Sequence, residues 1–243
     1  MIVTVDGPAG AGKSTVAKRL AVRLTEKLGT DKLGTGEKLG KEFEYLDTGS
    51  MYRAIALIGV RSGVHWQVPE QLERLAQNAI VNVIDGRTFL NNEDVTEAVR
   101  SPIITEHTRF SADNPVIREM MVAQQRNIAQ TFLSANKGLV TEGRDQGTVV
   151  FPDAECKFFL TATPEERTRR RLGELKQRGI VGEFEEIYEF EEIYRQITER
   201  DTRDAARSVG PLREPPDAHR IVSDGMTLEE VVECLAEICC SVR

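Results

Sequence analysis

The sequence predicts an α/β fold, and three observations carry that prediction. Short apolar or β-branched runs recur at residues 2–5, 43–46, 138–141, 156–161 and 220–223. Apolar residues at helical spacing fill the intervals, so strand and helix alternate along the chain, as they do when helices connect parallel strands. The length of 243 residues suits one such domain with small insertions and a substantial core of its own.

The first unit sets the pattern. Ile2-Val3-Thr4-Val5 reads as a buried strand, and Val16, Leu20 and Leu24 with Ala17 and Ala21 read as a helix. Between them stands Gly7-Pro8-Ala9-Gly10-Ala11-Gly12-Lys13-Ser14, followed by Thr15, which fits G-x-x-x-x-G-K-[ST] at every fixed position. Glycines let successive backbone N–H groups turn inward around an anion at a helix N-terminus, where the dipole also favours negative charge. Lys13 would place its ammonium on the β- and γ-phosphates, and the Ser14 hydroxyl would ligate Mg²⁺. A bare glycine-rich turn with a surface lysine would need neither the strand before it nor the helix after it. A nucleoside triphosphate is therefore the expected ligand.

Composition narrows the class. A net charge of −7 implies no broad basic surface for nucleic acid. The positive charge is clustered instead, mainly within 167–178 and 195–207, which beside a phosphate loop points to anion binding. Cys156, Cys234, Cys239 and Cys240 lack zinc or disulfide spacing and read as reduced thiols, mostly core filler. No apolar run approaches the roughly 20 residues of a membrane span, and the first strand begins at once. A cytoplasmic location, without membrane association, is expected.

Taken in order, residues 28–40 repeat a Lys-Leu-Gly unit without helical or strand period and read as a flexible surface insertion. The strand at 43–46 ends in Asp47-Thr48-Gly49-Ser50-Met51-Tyr52-Arg53, a polar cluster where open parallel sheets bind ligands. Asp47 or Thr48 would cap the next helix, while Tyr52 and Arg53 add phosphate donors that a cap does not need. Residues 78–100 change period and read as short strands joined by tight turns, a small antiparallel insertion over the main sheet. One helix is expected over 108–132. The strand at 138–141 leads into Glu142-Gly143-Arg144-Asp145-Gln146-Gly147, and a carboxylate there suits a magnesium-water shell. Thr163-Pro164-Glu165-Glu166 spells a capping box ahead of a helix bearing Arg167, Arg169, Arg170 and Arg171. Glu-Phe-Glu-Glu-Ile-Tyr then occurs twice over 183–194; a six-residue step turns a helix by about 600°, so the copies cannot share a face. Arg200, Asp204 and Arg207 follow on one helix face. A last amphipathic helix, capped by Thr227 with Glu230, closes the chain.

Together these residues resemble a bacterial-type cytidylate kinase, a phosphate-loop nucleoside monophosphate kinase, over nearly the whole chain. The resemblance rests on the Gly7–Ser14 loop, Asp47-Thr-Gly-Ser-Met-Tyr-Arg53, Gly143-Arg-Asp-Gln-Gly-Thr-Val-Val-Phe-Pro-Asp153, and Glu199-Arg-Asp-Thr-Arg-Asp204 with Arg207. It implies a five-stranded parallel sheet with helices on both faces, formed by residues 1–243 as one domain. Residues 78–100 would belong to a lobe for the nucleoside monophosphate, and 163–182 would form a short lid. It implies the reaction ATP + CMP → ADP + CDP, with dCMP as a further acceptor, Mg²⁺ accompanying ATP, and a monomeric enzyme. By the same resemblance Lys13, Arg144 and the lid arginines Arg167, Arg170 and Arg171 would act on the phosphoryl group in flight. Gly7 to Thr15 would bind ATP, and Ser14 and, through water, Glu142 would hold the metal. Thr48, Tyr52, Arg53, Arg118, Arg144, Asp145, Arg200, Asp204 and Arg207 would bind CMP, with Arg118 and Asp145 on the cytosine edge and Asp204 on the ribose. Glu142 stands where the family commonly has Asp, and Arg109 where it usually has a base-contacting serine, for which Thr108 or Ser111 could substitute. Two alternatives stay open: a kinase of another small acceptor, such as a different nucleotide or shikimate, and a non-catalytic nucleotide-binding regulator. The acceptor-side arginines tell against both. His65, His107 and His219 have no expected role, because a phosphate acceptor needs no general base.

Overall fold

In the computed structural model residues 1–29, 41–177 and 186–242 are described, with side chains from 189 in the last segment. The elements in chain order are β1 (Ile2–Asp6), α1 (Lys13–Leu28), β2 (Phe43–Asp47), α2 (Thr48–Ser62), α3 (Pro69–Ala76), β3 (Val81–Ile84), β4 (Arg87–Leu90), β5 (Glu93–Asp94), α4 (Pro102–Ala112), α5 (Pro115–Ser134), β6 (Gly138–Gly143), β7 (Cys156–Thr161), α6 (Pro164–Gln177), α7 (Glu186–Ala205), β8 (His219–Val222) and α8 (Leu228–Ser241). Short turns of 3₁₀ and π geometry lie at Ala98–Arg100 and Gln146–Val150.

The main sheet has the order β2-β6-β1-β7-β8, with every neighbouring pair parallel. Side chains alternate across it, and both faces are covered. Val3 and Val5 point to one face and pack with Leu20 and Leu24 of α1 and Leu235 of α8. Leu139 points to the other, among Ile55 of α2 and Ile117 and Met121 of α5. Burial on both faces explains why these strands read as near-continuous apolar runs. A separate antiparallel sheet, β3-β4-β5, forms the insertion expected at 78–100. Its turns carry Asp85-Gly86 and Asn91-Asn92 at positive φ, the left-handed pairs that two-residue hairpins require.

Three expectations change. Arg207, expected on one helix face with Arg200 and Asp204, lies in the loop beyond α7, which ends at Ala205. The helix expected over 108–132 is two helices, α4 and α5, broken at residues 113–114. Asn114 caps the second by accepting from the Ile117 N–H at 3.1 Å, and Pro115 occupies its first position. Asn-Pro is a helix-start signal that the long apolar stripe obscured. The capping box at 163–166 is half formed: the Glu166 N–H reaches Thr163 Oγ1 at 3.3 Å, but the Thr163 N–H is taken by Asp224. Tertiary contact from the loop after β8 supplies the second arm. The box at Thr227 and Glu230 is complete. The second hexapeptide copy lies in α7, where Phe190 and Ile193 join Leu172 and Ile197 in a small core between α6 and α7. Residues 183–185 of the first copy, most of the 28–40 insertion and the lid beyond Gln177 lie outside the described residues. Among the described residues no helix is long and apolar enough to cross a membrane.

Candidate active site

The phosphate loop joins β1 to α1 at the C-terminal edge of the sheet's central strand. Gly7 passes so close to the Leu160 carbonyl that a Cβ there would overlap it, and Gly12 enters α1 at φ 83°. Both positions exclude a side chain, for steric and conformational reasons respectively. Lys13 Nζ is buried and donates to the Pro8 carbonyl at 2.7 Å. Burial, then the nearby Arg144 guanidinium, pull its ammonium down to about 7. Ser14 Oγ donates to Glu142 Oε1 at 2.9 Å, so the longer carboxylate reaches the hydroxyl from the end of β6.

Beside that loop, β6 runs on into Arg144 and Asp145. Arg144 Nε donates to Asp204 Oδ2 at 2.8 Å, and Arg207 Nη2 lies 2.7 Å from Asp204 Oδ1. Arg200 Nε is 4.0 Å from the same carboxylate. Burial works against the Asp204 carboxylate, but Arg144, Arg207 and Arg200 together hold it below the usual range. Arg207 also bonds Asp113 at the α4–α5 junction. Arg118 and Asp145 form a buried ion pair, with the remaining Arg118 Nη1 on the Ala112 carbonyl at 3.0 Å. The Tyr52 ring lies 5.3 Å from that guanidinium, in cation–π range. Gly210, at φ 60°, seals the pair from above; a Cβ there would overlap both partners. Burial pushes the Asp145 carboxyl up, and Arg118 opposes the shift. A cavity of about 290 Å³ opens between α4 and α7, lined by Thr108, Arg109, Arg200, Asp204 and Arg207 among others.

A cluster of arginines around Asp204 therefore adjoins a buried donor–acceptor pair, with the phosphate loop beside them. The cytidylate kinase family model matches residues 29–240. The chain belongs to the cytidylate kinase family. It is 45% identical to a cytidylate kinase of Rhodopirellula baltica over 96% of this chain and 90% of that one. A cytidylate kinase of Caldanaerobacter subterraneus is 42% identical, over 97% and 92%. A bifunctional pantoate ligase/cytidylate kinase of Prochlorococcus marinus is 40% identical over 98% of this chain, which spans 43% of that protein. The fold class and the family expected from the sequence thus both hold, and the enzyme is a kinase.

Within this kinase the expected residues fall into two groups. Lys13, Ser14, Glu142, Arg144, Arg200, Asp204 and Arg207 form one connected cluster, which Arg118 and Asp145 adjoin. Arg53 stands at its edge, tied to Asp47 at 3.0 Å, while the Thr48 hydroxyl bonds the Glu142 carbonyl at 2.7 Å and ties the start of α2 to β6. The three lid arginines have other partners. Arg167 is buried, donating to the Ala9 carbonyl at 2.8 Å and pairing with Asp201, which in turn accepts the Ala9 N–H at 2.9 Å. It braces the phosphate loop from beneath. Arg170 bonds Ser223 and Glu166, and Arg171 pairs with Glu174 on an exposed surface. Of the two candidates beside Arg109, Thr108 lines the cavity, whereas the Ser111 hydroxyl is buried on the Tyr52 carbonyl at 2.8 Å. Asp6, Asp201 and Gly210 were not singled out from sequence. Asp6 did leave a trace there, a carboxylate closing a β-branched strand.

Proposed function

We propose that this chain phosphorylates CMP, and dCMP, with ATP as donor, through the cluster at the ends of β1 and β6. The observation that carries the assignment of residues is the buried Arg118–Asp145 pair standing one residue from Arg144, beside the phosphate loop. A phosphate oxygen of CMP attacks the γ-phosphorus of ATP, the bond to the β-phosphate oxygen breaks, and ADP and CDP result. The acceptor's second pKa of ~6 leaves it largely dianionic near neutrality, so no base is required. The protein's task is then alignment and charge neutralisation.

Lys13 releases the Pro8 carbonyl to meet the donor's phosphates, whose charge favours its ammonium. Arg53 and Arg144 hold the acceptor phosphate, with Arg200 and Arg207 alongside; Arg170 and Arg171 would have to leave their partners to take part. Asp204 keeps the arginines in place and faces the ribose hydroxyls. Arg118, which only donates, suits N3 or O2 of cytosine; ionised Asp145, which only accepts, suits its N4 amino group. Uracil presents the reverse pattern, so both contacts oppose it. For the metal, Ser14 and Glu142 supply oxygen donors 2.9 Å apart, the kind that hard cations take, and no cluster of three or more His, Cys, Asp or Glu suited to an ion occurs among the described residues. They fit an ion that arrives on ATP and would hold Mg²⁺ by hydroxyl and through water, where it neutralises phosphate charge. A monomeric, cytoplasmic enzyme in pyrimidine nucleotide metabolism, with residues 163–182 as lid and 78–100 in the acceptor lobe, completes the reading.

ADP release with CMP, dCMP, UMP and AMP as acceptors tests the reaction. Turnover of CMP and dCMP well above UMP and AMP is expected. Equal turnover of CMP and AMP would overturn the assigned acceptor side.

A further inference from the structure

We propose that Asp6 is a positioning residue, whose carboxylate holds the segment carrying Arg144 and Asp145 in register with the phosphate loop. The inference rests on the reading that those two residues hold CMP.

The placement follows from β1 itself. Val3 and Val5 pack toward α1 and α8, so the alternating residues Thr4 and Asp6 face the opposite side, under the turn that follows β6. Asp6 is the last residue before Gly7, and its register partner on β6 is Gly143, immediately ahead of Arg144. Its side chain has 0% exposure. One oxygen accepts the Gln146 N–H at 2.9 Å and the other the Gly147 N–H at 2.7 Å. These amides open the π turn at Gln146–Val150 and lack partners within it. Among the described residues no lysine or arginine forms an ion pair with Asp6, since Lys13 Nζ goes to Pro8.

A buried carboxylate without a cation is costly, and burial pushes Asp6 up to about 7 although both N–H bonds favour its charge. Anchoring alone would not need it. Thr141 already bonds the Gln146 side chain at 3.0 Å, and Arg126 bonds the Val149 and Val150 carbonyls at 2.9 and 3.0 Å. What the carboxylate adds is a two-point hold on the backbone directly after Asp145. It comes from the strand that also launches the phosphate loop, so donor and acceptor sides share one fixed frame. A shift of this turn would move Arg144 and Asp145 together while leaving Lys13 in place.

Asp6→Asn in the full chain tests this. Asparagine keeps the shape and one acceptor, but turns an NH₂ toward the second N–H. The KM for CMP should rise about tenfold, the scale of one lost charge-assisted hydrogen bond, and the CMP-over-UMP preference should narrow, with the KM for ATP within about twofold of wild type. Wild-type CMP constants in a folded variant, or equal losses for ATP and CMP, would overturn the proposal, the second by showing a general brace. Should the variant fail to fold, amide exchange of the wild-type enzyme decides. Slow exchange at both Gln146 and Gly147 is expected, and solvent-like exchange at either sinks the idea. Arg144→Ala, measured alongside, separates the two readings: unchanged CMP kinetics there would remove the assigned acceptor site itself, whatever Asp6 does.

Discussion

On the proposed reading single charges do the discriminating, and Asp145 is the case to test. Its carboxylate is buried, paired with Arg118 and roofed by Gly210, so it can neither reorient nor find water when a base arrives. Asp145→Asn keeps the shape and adds an NH₂ donor able to face uracil O4. Lower CMP activity and a smaller CMP/UMP ratio in kcat/KM are expected, and a constant ratio would reduce Asp145 to a structural brace. Lys13 is a different case. Its ammonium is buried against Pro8 rather than exposed, so Lys13→Ala removes a desolvated charge that the free enzyme holds at some cost. Its thermal midpoint should be at or above that of wild type, while kcat falls by about a hundredfold or more, the range typical of one lost electrostatic contact in the transition state. Unchanged turnover would remove Lys13 from the mechanism.

Elements bring their own constraints, clearest in α7 and the loop behind it. Gly210 follows α7 at φ 60° and touches the Arg118–Asp145 pair, so Gly210→Ala combines backbone strain with direct overlap. The KM for CMP should rise by about tenfold or more with the KM for ATP little changed, as expected when only one ligand's contacts are displaced. The hexapeptide repeat makes the opposite prediction. Because the copies are identical and adjacent, deleting 189–194 or 183–188 yields the same chain, and the surviving copy joins Arg195 directly. Phe190 and Ile193 are thereby rebuilt in their places against Leu172 and Ile197. Activity near that of the full chain is expected; a soluble but inactive deletion would show that the added length sets Arg200 and Asp204.

At the level of the whole molecule, the core between α1, β1 and α8 allows stability to be changed without touching Arg144, Asp145 or Asp204. Leu235 of α8 is fully buried against α1 and β1, in a core that includes none of Arg144, Arg200, Asp204 and Arg207. Leu235→Ala should cost about 3 kcal/mol and lower Tm by roughly 6–12 °C. Kinetic constants for CMP and ATP measured well below that Tm should stay near wild type, and a selective loss for CMP would mean the two faces are coupled. The proposed acceptor side is held instead by charge: Asp204 joins Arg144, Arg200 and Arg207, and Asp113 ties Arg207 to the α4–α5 junction.

The sequence alone determined what depends on local chemistry. A strand, a glycine turn and a helix in that order already specify a phosphate loop, and alternation of buried runs specifies the α/β class. Asn and Gly at turn positions marked the β3–β5 hairpins. Arg200 and Asp204 were legible as one face because helical period is a property of neighbours, whereas Arg207, expected on that face, lies beyond the end of α7 and meets Asp204 from the loop. Tertiary structure decided what depends on meetings between distant segments. The strand order follows from crossovers, which no local pattern encodes. The resemblance makes Arg167 and Arg170 lid arginines, and only the fold shows that their partners Ala9, Asp201 and Ser223 lie on other elements. Asp224 takes the Thr163 N–H for the same reason. Asp6 is the extreme instance: one carboxylate at a strand end, ordinary in sequence, becomes a joint only because β6 lies beside β1 and turns above it. Burial makes such contacts strong, and burial is settled by the fold as a whole.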